Sequence, residues 1–235
     1  MRKKMKMGTG DRIFYVVTRV LLAVFLVIVL YPIYFVVIAS FSDSAYVNSG
    51  EFLFYPKGFT LLGYSQIFKT TRIWISYMNT LIYVVFGTML GLAASVLAGY
   101  SLSQKKLLGR NVIMGLLVFT MYFGGGLIPT YLVIKGIHLT NTRLLLVIMG
   151  SISVYNIILI RSFFAGTLPQ ELQDAAFIDG CGNGQYFFRI ALPLSKAILS
   201  VIGLYIAVAH WNSYFNAMIF LTDESKYPLQ LFLRD

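Results

Sequence analysis

The sequence predicts an all-α protein, a polytopic bundle of transmembrane helices, and three observations predict it. Of 235 residues, 58% are hydrophobic and only 12% charged, where a soluble domain carries about 45–50% apolar and about 25% charged residues. Mean hydropathy is +0.76. The apolar residues gather in five runs, each long enough to supply the roughly 20 helical residues that a bilayer core needs.

In chain order the runs are 14–41, 74–102, 111–134, 144–164 and 196–221. The first follows a charged leader, residues 1–13. It is longer than the roughly 7–15 apolar residues of a signal peptide, and no small-x-small cleavage site follows, so it reads as a span. Residues 42–73 mix aromatics with Gly and Pro and read as a packed loop with a short helix near LLGYSQIF. In the second run Gly87, Gly91 and Gly99 read as packing positions. In the third, FGGGLIP with Pro129 predicts a bend or break. Residues 165–195 separate the fourth and fifth runs, a connection well beyond the usual 2–8 or so residues of a bundle. The fifth holds polar side chains at membrane depth, His210-Trp-Asn-Ser-Tyr-Phe-Asn216, and the segment 222–235 follows it.

The net charge is +10. Lys and Arg concentrate at the ends of the apolar runs, so they read as loop anchors rather than as a nucleic-acid surface. With the N-terminus inside, twelve of the 19 basic residues fall on the inner side and seven on the outer. That asymmetry favours a cytoplasmic N-terminus, a cytoplasmic 165–195 loop and an extracytoplasmic 222–235 segment. The single cysteine, Cys181, leaves no internal disulfide and no cysteine-based metal site. Neither HExxH nor a phosphate-binding G-x-x-x-x-G-K-[ST] loop occurs. No catalytic residue or metal ligand is expected, and any nucleotide chemistry would sit on another chain.

The long connection contains TLPQELQDAAFIDGCGNGQYFFRIALP, residues 167–193. Thr167 and Gln170 have capping-box spacing, and Pro169 is tolerated in a first turn. Glu171 and Asp174 would lie near the positive end of the helix dipole. Gly180 and Gly182 are stop signals. The pattern predicts a helix of about three turns with Leu168, Leu172, Ala175, Ala176 and Asp179 on one face, then a short amphipathic piece at QYFFRI. Adjacent alanines allow another surface to approach the backbone, and Glu171, Asp174 and Asp179 supply charges for a basic partner. A solvated connection is the plain alternative to a docking surface.

Asp174-Ala175-Ala176, three residues, Gly180, nine residues, Ile190-x-Leu192-Pro193 resembles the EAA loop of ABC-importer permeases, E-A-A-x3-G-x9-I-x-L-P, with Asp174 in place of Glu. RSFFAGTLPQEL, NTLIYVVFGTMLGLAASVLAGYSLSQK, FGGGLIPTYLVIKGI and WNSYFNA resemble the carbohydrate branch, similar to the maltose-system small permease and LplC-type oligosaccharide permeases. The likeness runs from about residue 13 to the end. It implies a multi-pass permease subunit of a sugar importer in a bacterial cell membrane. A second homologous permease, two ATPase subunits holding ATP and Mg, and an extracytoplasmic substrate-binding protein would be its partners. Glu171, Asp174, Ala175, Ala176, Asp179 and Gly180 would dock the ATPase, while Ile190, Leu192 and Pro193 would fix the loop to the fifth span. The family usually has six spans, so a sixth would be expected beyond residue 235.

Sugars are held by aromatic faces and hydrogen-bonding side chains, so Trp211, Asn212, Tyr214 and Asn216 are translocation-path candidates, with Tyr155 and Asn156 weaker ones. Polar bonding between helices is the alternative for each. His210 suggests a proton relay, but no intramembrane acid accompanies it. A stand-alone secondary transporter or channel for small polar solutes would predict such acids and an inverted repeat. A membrane enzyme would need a carboxylate pair, a metal cluster or a nucleophile beside His.

Overall fold

The computed structural model describes residues 8–50 and 54–234. The charges at Arg2, Lys3, Lys4 and Lys6 lie outside the described residues, as does Asp235. All regular structure among the described residues is helical, as the composition predicts. Two compact units divide the chain, Met1–Thr70 and Thr71–Asp235.

The first unit contains α1 (Thr9–Ser40), α2 (Ser44–Asn48) and α3 (Leu62–Lys69). Helix α1 has 32 residues, and only 6% of its most apolar window is buried. A helix apolar on all sides is stable only in apolar surroundings. The loop after it is packed, as expected. Thr60 N donates to the Phe41 carbonyl at 3.0 Å, the Phe41 and Phe59 rings stack 5.9 Å apart, and the Asp43 carboxylate caps α2 by accepting from Ala45 N at 2.9 Å. The short helix expected at LLGYSQIF is α3.

The second unit is built around α4 (Thr71–Ser103). There follow α5 (Arg110–Tyr122), α6 (Leu127–Gly136), α7 (Arg143–Ile148), α8 (Val154–Thr167) and α9 (Gln170–Ile178). Helix α10 (Asn183–Tyr186) runs through a π turn (Phe187–Ala191) into α11 (Leu192–Leu194), then come α12 (Lys196–Trp211), α13 (Phe215–Phe220), a 3-10 turn (Glu224–Lys226) and α14 (Leu229–Phe232). Helices α5 and α6 meet at 113°. The break is at FGGG, where Gly126 has φ +84°, so the predicted bend is present. The run 144–164, by contrast, is not one helix. It divides into α7 and α8 at Gly150, whose φ of +84° suits a residue without Cβ. The run 196–221 divides at Asn212–Tyr214 for a different reason: its polar side chains coincide with the unwound turn. Two described helices, α1 and α4, are long and apolar enough to cross a membrane, or four spans result if each bent pair is one.

Helix α4 is the spine because one of its faces is made of small residues four apart. Gly87, Gly91, Ser95 and Gly99 are all buried. A Cβ on Gly87 would lie 2.3 Å from His210 Nε2, one on Gly91 2.2 Å from the Ser151 carbonyl oxygen, and one on Gly99 2.6 Å from Ile160 Cγ2. These glycines therefore let α8, α12 and the turn before α8 touch the α4 backbone, as the packing reading requires. One apolar cluster joins α4, α8 and α12 to α9 and the π turn through Val96, Ile160, Ala176, Phe187 and Ile206, among others. Another holds Tyr83, Leu146, Ala217, Leu221 and Leu231.

The segment after α13 is fastened to the first turns of α4. Asn79 Nδ2 donates to the carbonyls of Ser225 at 2.8 Å and Tyr227 at 3.2 Å. The Tyr83 hydroxyl donates to the Lys226 carbonyl at 2.7 Å, and Thr80 Oγ1 accepts from Leu229 N at 2.8 Å. Arg72 and Glu224 form an ion pair beside these bonds. Asp223 accepts from both the hydroxyl and the backbone N–H of Ser225. Those bonds, with Lys226 alongside, draw its carboxyl down to about 2 from the ordinary 3.8.

Candidate functional site

Helix α9 carries the EAA-like residues, and its start differs from the sequence expectation. Thr167 is not its cap: Thr167 is the last residue of α8, Leu168 is extended, and Pro169 occupies the N-cap position with no side-chain bond. The cause is Pro169, which forces its predecessor out of the helical region. The stop is as predicted. Gly180 has φ +82°, its N–H donates to the Phe177 carbonyl at 3.1 Å, and the Cys181 N–H donates to the Ala176 carbonyl at 2.9 Å. This pair of bonds around a left-handed residue is a Schellman motif.

The two faces of α9 are chemically distinct. Ala176 is buried, and Leu172 and Phe177 pack with it against Ile160, Tyr186 and Phe187. The Gln173 amide donates to Gln104 Oε1 at 3.0 Å, tying α9 to the turn after α4. Burial pushes the Tyr186 phenol above its ordinary value, and its ring packs edge-on against Phe177 at 6.0 Å. The predicted single face is thereby corrected. Leu172 and Ala176 point inward, Ala175 and Asp179 are exposed, and Leu168 lies outside the helix. At 100° per residue the packed stripe is 172, 173, 176 and 177, which leaves 175 and 179 outside it. Glu171, Asp174, Ala175 and Asp179 form the outer face together with Ile178, which is 86% exposed. Sequence reasoning passed over Ile178; its signal was an apolar side chain off the apolar stripe. Ile190 and Leu192 pack on the cluster from the π turn and α11, while Pro193 is exposed.

The unwound turn between α12 and α13 opens into a cleft of about 270 Å³. It brings together Asn212, Tyr214 and Asn216 with His210, Ser213 and the Met149-Gly150 turn. Asn212 Nδ2 bonds the Val208 carbonyl of its own helix at 3.0 Å, so it does not tie two helices together. The Tyr214 ring lies 4.7 Å below the Arg234 guanidinium. Trp211 is not part of the cleft and meets Tyr77 edge-on at 6.0 Å. Tyr155 and Asn156, on the first turn of α8, are also outside it, the former exposed and the latter buried. His210 is buried with Nε2 3.2 Å from the Ser151 hydroxyl, so its partner is not a carboxylate. Met149 and Gly150 carried no recognisable signal, because the break at Gly150 decides their position; Ser213 belongs to the polar stretch already singled out.

Residues 87–224, which include both α9 and the cleft, match the family model described as the binding-protein-dependent transport system inner membrane component. The chain belongs to this family. This inner membrane component is 38% identical over 207 residues to Protein LplC of Bacillus subtilis, covering 88% of the chain and 70% of that relative. It is also 38% identical over 224 residues to the polygalacturonan/rhamnogalacturonan transport system permease protein YtcP of the same organism, covering 95% and 78%. Among solved structures it superposes at TM-score 0.92, with 34% identity, on a chain from the crystal structure of a bacterial ABC transporter involved in the import of the acidic polysaccharide alginate. There it covers 97% of this chain and 81% of the other. The membrane-component reading and the ABC-permease resemblance are thus established.

Proposed function

We propose that this chain is one of two permease subunits in an ATP-driven oligosaccharide importer. Its α9 is the helix on which a cytoplasmic ATPase subunit docks. The observation that carries the reading is the division of α9 into an inner face packed on the bundle and an outer face of Glu171, Asp174, Ala175, Ile178 and Asp179 open to a partner. Acids on that face suit basic residues in a docking cleft, and Ala175 lets that cleft approach the backbone. Gly180 ends the helix in a conformation that a Cβ resists. ATP and Mg would be held by the ATPases, so this subunit needs no catalytic group. The carbohydrate assignment draws on the polygalacturonan and alginate systems named for its relatives.

In this reading the five apolar runs are spans, the N-terminus and α9 face the cytoplasm, and a substrate-binding protein delivers sugar from the other side. Asn212, Tyr214 and Asn216 would line the path together with the second permease subunit. No specific observation favours a stand-alone transporter. The test is Gly180→Leu in the complex with its partner subunits. The variant should insert at wild-type levels but lose transport and substrate-stimulated ATP hydrolysis. Wild-type stimulated hydrolysis would overturn the docking role.

A further inference from the structure

We propose that a basic cleft beside α9 binds the phosphate of one anionic phospholipid headgroup. The cleft encloses about 550 Å³ and is lined by Gln104, Lys105, Arg110, Arg161, Glu171 and Gln173, among others. Ligand sites typically measure about 300–1,000 Å³. Its three cations come from three separate pieces of chain: the turn after α4, the first residue of α5, and α8. Arg161 is held in place by its Nε–H, which donates to the Leu102 carbonyl at 3.1 Å. Among the described residues none of the three forms an ion pair within 4.0 Å. Glu171 is, among the described residues, the one acid lining the cleft, so these walls carry excess positive charge that a phosphodiester would neutralise.

A second observation sets the cleft at the level of lipid phosphates. The turn entering it reads Lys105-Lys106-Leu107-Leu108-Gly109-Arg110, and Leu108 is 93% exposed with Leu107 also exposed. One bare leucine, Leu108, and a partly exposed one, Leu107, flanked by cations, suit the boundary between acyl chains and headgroups, where apolar side chains enter lipid and basic ones stay among phosphates. Basic pockets between membrane helices are one way that proteins select anionic lipids. The Gln104–Gln173 bond makes one wall of the cleft continuous with α9, so a lipid seated there would brace that helix.

The inference rests on the chain being a membrane component, not on the identity of its sugar or the role of α9. The test uses the assembled transporter, with phosphatidylglycerol as the probe, phosphatidylcholine as the neutral control, and native mass spectrometry as the readout. Wild-type complex should retain phosphatidylglycerol over phosphatidylcholine. Each cation contributes about a fivefold factor near a lipid surface, so Lys105→Gln/Arg110→Gln should weaken retention roughly 25-fold. Arg161 is spared because it also bonds the backbone. Equal retention of the two lipids, or unchanged retention in the double variant, would refute the site. Displacement of the lipid by millimolar inorganic phosphate would assign the cleft to a soluble anion instead. Loss of the ATPase from the purified double variant, with lipid retention unchanged, would make the cleft a protein contact. A double variant that keeps its ATPase but loses phosphatidylglycerol supports the proposal.

Discussion

Gly91→Ala tests the packing of α4. Its Cβ would stand 2.2 Å from the Ser151 carbonyl oxygen and 2.9 Å from the carbonyl carbon. Ordinary contact begins at 3.4 Å, so the atoms would be about 1.2 Å too close. A side chain can rotate away, but a carbonyl in a tight turn moves only with its backbone. Relief therefore requires the turn before α8 to leave α4. Overpacking of this kind costs typically 1–3 kcal/mol, and the rigid neighbour places this case at the upper end, about 2–3 kcal/mol. At about 2–4 °C per kcal/mol for a chain of this size, melting should fall by roughly 4–12 °C. The assay is thermal unfolding of the detergent-purified protein, followed by accessibility of Cys181 to a thiol dye. Gly203→Ala is the control, since its Cβ meets nothing nearer than Leu92 Cδ2 at 3.8 Å; relieved of about 0.5–1 kcal/mol of helix-interior glycine cost, it should melt roughly 1–4 °C above wild type. Equal melting of Gly91→Ala and wild type would refute the reasoning.

Two further outcomes concern the segment fastened to α4. Asn79→Ala leaves the Ser225 and Tyr227 carbonyls without their shared donor, at about 1–3 kcal/mol of local stability; amide exchange across 225–231 should quicken roughly 5- to 150-fold, and unchanged exchange would show that the bonds add nothing. Asp223 titrates lower in the folded state than the ordinary 3.8, so its contribution is complete above pH ~4 and disappears as pH falls through about 2. A spin label on the 222–230 segment should therefore stay immobile at pH 5 and loosen below pH 3, whereas Asp223→Asn should be loose at both; loosening of wild type already at pH 5 would contradict the assignment.

Much of the architecture could be read from residue types because lipid leaves few alternatives: apolar runs must be helices. The glycines of α4 announced a close approach at four-residue spacing, but a single sequence does not say what approaches. That His210 fills the space over Gly87, and the Ser151 carbonyl that over Gly91, is a pairing across more than fifty residues. Helix breaks were legible where several signals coincided, as at Gly124–Gly126 with Pro129. They were hidden at Gly150, an isolated glycine in an apolar stretch. The end of α9 was readable because Gly180 is both a stop signal and part of a fixed spacing. Its start was not, because Thr167 fits a capping pattern that Pro169 overrides. The cation cleft could not be foreseen, since Lys105, Arg110 and Arg161 converge only after α4, α5 and α8 have packed.

Helix α12 runs unbroken for 16 residues, roughly 24 Å at 1.5 Å per residue. Ile198 and Leu199 near its start and Ile202 and Ile206 along its middle pack in the cluster that seats α9; its far end carries His210 and the unwound cleft turn. Its joints lie outside it, at the 78° corner with α10 and α11 and at Asn212–Tyr214. In mechanical terms α12 would serve the proposed docking role as a connecting rod. A close-packed seat has little backlash, so in the proposed docking role a displacement applied at α9 would pass through the shared cluster to α12 and on to the cleft turn. Shaving a methyl group from Ile202 or Ile206, both buried, would introduce free travel along the packed middle of the rod, where input motion would be lost before it reached the cleft turn.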